Sequence, residues 1–93
     1  MREKLIEQKL IRAVKAVGGL AVKLVSPGFD GMPDRLLLLP GGKIAFVEAK
    51  SMSCKPRPLQ IKRHEILMNL GFLVFVLDDD KQIGALLDEI QTS

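Results

Sequence analysis

Three residues near the middle of the chain have the types and spacing for metal-assisted chemistry, two carboxylates and a lysine: Asp34, Glu48 and Lys50. They lie in GMPDRLLLLPGGKIAFVEAK, residues 31–50, which otherwise reads as two apolar strands around a Pro40-Gly41-Gly42 turn. If those three residues form the hairpin loop, Leu39 pairs with Lys43, and counting outward sets Asp34 opposite Glu48. Directly opposed side chains share a face with Cβ atoms ~5 Å apart, and Lys50, two residues past Glu48, shares that face too. A two-residue loop would slip the register and send Asp34 to the other face, so the chemistry depends on the turn. Two carboxylates converging on a largely apolar sheet repel each other, and a buried charge is costly unless it is paired or binds metal. A hard divalent cation such as Mg2+ relieves both costs with oxygen ligands, and it keeps several waters or phosphate oxygens besides. Lys50 beside that ion would hold a water or a phosphate oxygen. Taken singly, Asp34 also reads as a turn residue before a strand, and Glu48 with Lys50 as a strand-end ion pair.

A further acid comes from the N-terminal segment. On a helical wheel referenced to Ile6, Leu10, Ala13, Val14 and Val17 share one arc, with Ile11 at its edge. Glu7 sits at ~100° and Glu3 near ~60°, both inside that arc. Glu3 lies at the end of the helix, where fraying exposes side chains, so Glu7 is the expected member of the acidic cluster.

These residues need elements to carry them. Residues 2–17 read as a helix ended by Gly18-Gly19, and LAVKLVS as a short β-branched strand. PGFDGMP is a loop of turn formers. DRLLLLP and KIAFVEAK are the hairpin strands, and SMSCKPRP is a polar loop. PLQIKRHEILMNLG reads as a second helix with Pro58 in its first turn and Gly71 at its cap, lined on one side by Leu59, Ile66, Leu67 and Leu70. FLVFVLD is a fourth strand, apolar on both faces and therefore expected inside the sheet under helices. DDKQIGALLDEI is a last short helix, with Asp79 as its cap and Gln82 as capping-box partner, which is the expected use of the Asp78-Asp79-Asp80 run. The order is αβββαβα, an α/β fold with a mixed four-stranded sheet flanked by helices. The third and fourth strands, joined through a helix, should run parallel by a right-handed crossover.

Gly31-x-Pro33-Asp34, Glu48-x-Lys50 at the end of the next strand, and a following helix carrying Gln60 together resemble the PD-(D/E)xK nuclease superfamily. More narrowly the chain resembles the virus-type replication-repair nuclease (VRR-NUC) domains, in their stand-alone phage and bacterial form. The resemblance extends from the Glu7 helix to the LGFLVFVLDD strand. It implies a restriction-endonuclease-like core and a phosphodiesterase that uses Mg2+ or Mn2+ on DNA. It implies Asp34, Glu48 and the Ala49 carbonyl as metal ligands, with Glu7 completing the cluster directly or through water. Lys50 would orient or activate the attacking water, and Gln60 would position Lys50, the water or a phosphate, unless it only caps its helix. Gly31 and Pro33 would shape the approach to Asp34. The resemblance also implies 5′-phosphate and 3′-hydroxyl products, a homodimer, and a preference for branched DNA such as flaps or four-way (Holliday) junctions.

Composition is consistent with this. The 93 residues suffice for one small domain, 1–93, with one core. With 47% hydrophobic and 27% charged residues the chain is globular in type. No apolar run is long enough to span a bilayer, the N-terminus lacks a signal-peptide block, and the lone Cys54 suits a reducing compartment. The protein is expected in the cytoplasm, with no membrane partner. The net charge is only +3, but Lys50, Lys55, Arg57, Lys62, Arg63 and His64 fall within fifteen positions. That cluster is either a phosphate-binding footprint or a solvated loop and helix face. His64, the single histidine, is expected on that basic surface, touching phosphate rather than acting as general base. Phe29 is either a stacking platform for a splayed base or a loop anchor. Two rival functions remain: a non-catalytic DNA-binding subunit of a larger repair or packaging assembly, and cleavage of RNA.

Overall fold

The computed structural model describes residues 2–93. Helix α1 spans Glu3–Ala16 and is followed by strand β1 at Leu20–Lys23. Strands β2 and β3 cover Arg35–Leu39 and Lys43–Ala49. Helix α2 runs Pro58–Asn69 and leads into strand β4 at Leu73–Leu77. A short 3-10 turn at Asp80–Gln82 then opens helix α3, Ile83–Thr92. The order is αβββαβα, as the sequence implies. The sheet runs β1-β2-β3-β4, with antiparallel pairs up to β3 and a parallel β3–β4 pair.

Why α1 forms and where it stops follow from its side chains. Ile6, Leu10 and Val14, four residues apart, are buried along one stripe. The helix ends with Gly18 N–H on the Lys15 carbonyl at 3.0 Å and Gly19 N–H on the Val14 carbonyl at 2.9 Å, the paired closure of a Schellman motif. The buried stripe meets Leu37, Leu39, Ala45, Val47 and Leu77 of the sheet together with Ile83, Leu86, Leu87 and Ile90 of α3. Each such aliphatic side chain contributes about 1.5–3 kcal/mol when fully buried. One face of the sheet is thus closed by α1 and α3. The opposite face carries Glu48 and is reached by α2, with the Phe46 and Phe72 rings meeting edge to face at 5.6 Å.

The hairpin register is the feature that positions the site. Leu39 pairs with Lys43, and the ladder continues to Arg35 opposite Val47. The loop is therefore Pro40, Gly41 and Gly42, and one further step outward brings Asp34 opposite Glu48. Gly41 and Gly42 hold φ of +82° and +72°, the left-handed region that a side chain resists.

Two expectations about the sheet and α2 are corrected. Strand β4 lies at the sheet edge, not inside it, and Val76 is exposed. Its apolar residues on both faces are covered by α3 on one side and in part by α2 on the other, and among the described residues no fifth strand lies beyond it. In α2 the buried residues are Gln60, His64 and Leu67, while Leu59, Ile66 and Leu70 face solvent. This helix turns a polar side inward because it leans on the acidic end of the sheet rather than on the apolar core. Among the described residues no helix is long and apolar enough to cross a membrane.

The turn can be tested against a control in α3. Replacing Gly41 and Gly42 together by Ala should destabilise the fold by about 2 kcal/mol or more, because both residues sit in the left-handed region. Gly84→Ala, where an added Cβ meets nothing within 4 Å, should instead stabilise it by about 0.5–1 kcal/mol through helix propensity. Urea unfolding of the two variants reads both changes.

Candidate active site

Asp34 is set by its neighbours on both sides. Pro33 before it is fully buried, and the Asp34 carbonyl accepts from Leu24 N–H at 2.8 Å, prolonging the β1–β2 pairing. Its carboxylate then crosses to β3, where Oδ2 accepts from Ala49 N–H at 3.1 Å. Glu48 is 1% exposed. Its Oε2 accepts from Gln60 Nε2 at 2.9 Å and lies 3.4 Å from Lys50 Nζ. Its Oε1 is buried and has no hydrogen-bond partner among the described residues. Lys50 is held at the strand end by its own N–H, which donates to the Leu77 carbonyl of β4 at 2.9 Å.

Gln60 caps its helix and also reaches the acid, bonding Glu48 rather than Lys50. Its Oε1 accepts from Arg57 N–H at 2.8 Å, capping α2, while its Nε2 donates to Glu48. The helix start is thereby tied to the acid.

The third acid is not the expected one. Carboxylate oxygens of Glu3, Asp34 and Glu48 lie within 4.8 Å of one another. Glu7, one turn further along α1, turns to Arg35, with Oε2 3.4 Å from Nη2. Arg35 follows Asp34 and points to the α1 side of the sheet, so it takes the Glu7 carboxylate first. Glu7 still acts on Asp34 through its charge. Asp34 has its pKa raised mainly by burial and further by Glu7, against the lowering effect of the Ala49 N–H and Lys50. Position on the helical wheel marked Glu3 as well as Glu7; Glu3, the first residue of α1, is exposed as its place at the helix end implies, and its carboxylate nonetheless reaches Asp34 and Glu48.

Glu48 has its pKa pushed up to about 7, first by burial and then by the Asp34 charge, with Lys50 pulling the other way. Three carboxylates, an orphaned buried oxygen and no sulfur or imidazole among the cluster make a donor set suited to a hard divalent cation. The residues present therefore fit the metal that the resemblance implies.

The basic cluster divides. Lys55, Arg57 and Lys62 are exposed. Arg63 is turned to the loop between β1 and β2: its Nε donates to the Asp30 carbonyl at 2.8 Å, and its guanidinium lies 3.8 Å from the centroid of the Phe29 ring. His64 departs from the expected exposed phosphate contact. It is 6% exposed, four residues after Gln60 on the same inward stripe, with Nε2 buried and unpartnered. Burial first, and the Lys50 charge next, lower its pKa, which favours the neutral ring. A single histidine in a basic run gives no sign of this; the i, i+4 spacing from Gln60 is the signal that could have. Elsewhere the capping reading holds: Asp79 Oδ1 accepts from Lys81 N–H at 3.0 Å, Gln82 Oε1 takes the Asp78 and Asp79 amides, and Asp80 pairs with Lys9 at 2.7 Å. Cys54 is exposed and free.

The raised carboxyl of Glu48 makes the metal-free protein sensitive to pH. Between the unfolded value of 4.5 and about 7 the folded chain binds the extra proton, so stability falls as pH rises through that window. Asp34 shifts in the same direction. In chelator the Tm should drop from pH 5 to pH 8, Glu48→Gln should flatten the drop, and excess Mg2+ or Mn2+ at pH 8 should reverse it. Thermal melts across pH, with and without chelator, check all three.

No family model matches the chain. A protein of the Acyrthosiphon pisum secondary endosymbiont phage 1, named "Putative nuclease p44", is 51% identical over 78 residues, covering 84% of each chain. A solved structure described as "VRR_NUC domain" superimposes with a TM-score of 0.86 at 38% identity, over 92% of this chain and 94% of its own. With likenesses of this extent and identity, this chain belongs to the VRR-NUC family of nuclease domains.

Proposed function

We propose that the chain is a divalent-metal-dependent endodeoxyribonuclease of the PD-(D/E)xK type, selective for branched DNA such as flaps or four-way junctions. The observation that carries this reading is the buried Glu48 carboxylate, one oxygen orphaned, held against Asp34 and Glu3 with Lys50 at 3.4 Å. A purely structural ion pair does not require two further acids within 4.8 Å.

Asp34, Glu48 and Glu3, with the Ala49 carbonyl, would hold Mg2+ or Mn2+, and Glu7 would tune them through its charge. When bound, such an ion neutralises the scissile phosphate and lowers the pKa of a coordinated water. Lys50 holds the attacking water or a non-bridging phosphate oxygen and balances charge that develops on the phosphoryl group. The water oxygen bonds to phosphorus as the bond to the 3′ oxygen breaks, leaving a 3′-hydroxyl and a 5′-phosphate. Gln60 fixes the Glu48 carboxylate, and Lys55, Arg57 and Lys62 bind neighbouring phosphates. One centre cuts one strand, so symmetric cutting of a junction calls for a two-fold homodimer. The uncovered part of the sheet, where Leu20, Val22 and Ile44 are exposed, is compatible with such pairing, which sedimentation would measure.

The test is a panel of labelled junction, flap, duplex and RNA substrates with Mg2+ or Mn2+. Asp34→Ala and Lys50→Ala should each lower cleavage at least about 100-fold, and chelator should abolish it. Gln60→Ala, which frees Glu48 without removing a ligand, should cost about 10- to 100-fold. Glu3→Gln should shrink the metal-induced rise in Tm more than Glu7→Gln does. A second reading, a DNA-binding subunit without catalysis, has the exposed Lys55, Arg57 and Lys62 in its favour. Salt-sensitive binding with no cutting under any metal would favour it.

A further inference from the structure

The loop between β1 and β2 is held open rather than left free. A cavity of about 330 Å3 lies within it, lined by Leu24, Ser26, Pro27, Phe29, Asp30 and Met32 among others. Phe29 is 43% exposed, an unusual setting for an aromatic ring with no packing role in the core. Yet the loop around it is braced. Phe29 N–H closes a turn on the Ser26 carbonyl at 3.1 Å. Arg63 covers the ring with its guanidinium and grips the Asp30 carbonyl. Gly31, at φ +91°, seats the loop on α2 so closely that a Cβ there would come within 2.9 Å of Leu59 Cγ and 3.0 Å of Arg63 Cγ. Binding energy is best kept where the receiving surface is ordered beforehand.

We propose that this cavity takes one unpaired nucleobase of the DNA strand being cut, stacked on Phe29, close to the scissile phosphate. This rests on the nuclease reading of the Asp34–Glu48 site and gives that site its preference for unpaired or branched DNA. Two features carry it. The cavity abuts the cluster along the chain: Met32 is two residues before Asp34, so their Cα atoms are at most about 7.6 Å apart. The lining sets the Phe29 ring, a platform on which bases of any sequence stack, among both apolar and polar groups. A base paired and stacked in a duplex cannot enter, whereas one at a branch point or flap enters without further unpairing. Arg63 is here a positioning residue: its charge serves the loop rather than a phosphate.

The test uses flap DNA carrying 2-aminopurine at successive unpaired or branch-point positions, with the Lys50→Ala chain in Mg2+ so that the strand stays intact. Fluorescence at one position within about two nucleotides of the cut should change on binding. Phe29→Ala should abolish that change and weaken affinity for the flap about 10-fold, while Phe29→Tyr, which keeps the ring, restores both. Arg63→Ala should reduce the change without removing the ring. If DNA is bound and cut but no position responds to Phe29→Ala, the pocket is overturned while the nuclease reading stands. If the otherwise unaltered chain neither binds nor cuts any DNA, both fall.

Discussion

Everything at the working end of this molecule depends on one buried carboxylate. Glu48 is placed where water cannot satisfy it, beside another acid, and with one oxygen left without a partner. Such an arrangement costs folding free energy, and the chain offsets part of that cost with the Gln60 amide and the Lys50 ammonium. The remainder is what a cation at the site would relieve. The apolar half of the protein is the counterweight: α1, α3 and one sheet face form a continuous core that tolerates a strained corner.

Much of this was legible in the sequence because parity is rigid. Once Pro40-Gly41-Gly42 is taken as the whole loop, every side chain from Asp34 to Lys50 has an assigned face, and the observed pairing agrees with it. The capping of the last helix was legible for a similar reason, since Asp79 and Gln82 act within a few residues of each other. What was not legible depended on partners distant in the chain. An apolar strand such as β4 carries no mark of how many neighbours it will have. A helix such as α2 gives an apolar stripe and a polar stripe, and the sequence favours burying the first. Here the polar stripe of Gln60 and His64 is buried, because the helix leans on charged groups and not on the core. Glu3 and Glu7 were separated by Arg35, a residue on another element whose pull on Glu7 no wheel displays.

Helix α2 is the element through which the parts communicate. Its first turn touches the acid through Gln60, its second turn braces the β1–β2 loop through Arg63 and buries His64 near Lys50, and its outer surface presents Lys62. A basic run that looks uniform in sequence is thus divided by the period of the helix: Arg63 and His64 face structure, Lys62 faces solvent. Charge counting alone overstates the surface available to a polyanion.

The two hydrogen bonds made by Gln60 also restrict what evolution can place there. The position needs a hydrogen-bond acceptor for the Arg57 amide and a donor for Glu48 on the same side chain. Glutamate would keep the acceptor but set a third negative charge against Glu48; lysine would keep a donor and lose the cap; asparagine has both groups on a stem one carbon shorter. The amide is thus fixed by chemistry at both ends. Any lineage that changes it must rebuild the start of α2 and the setting of Glu48 in the same step, which makes single-step drift at this position improbable even where the surrounding helix is free to vary.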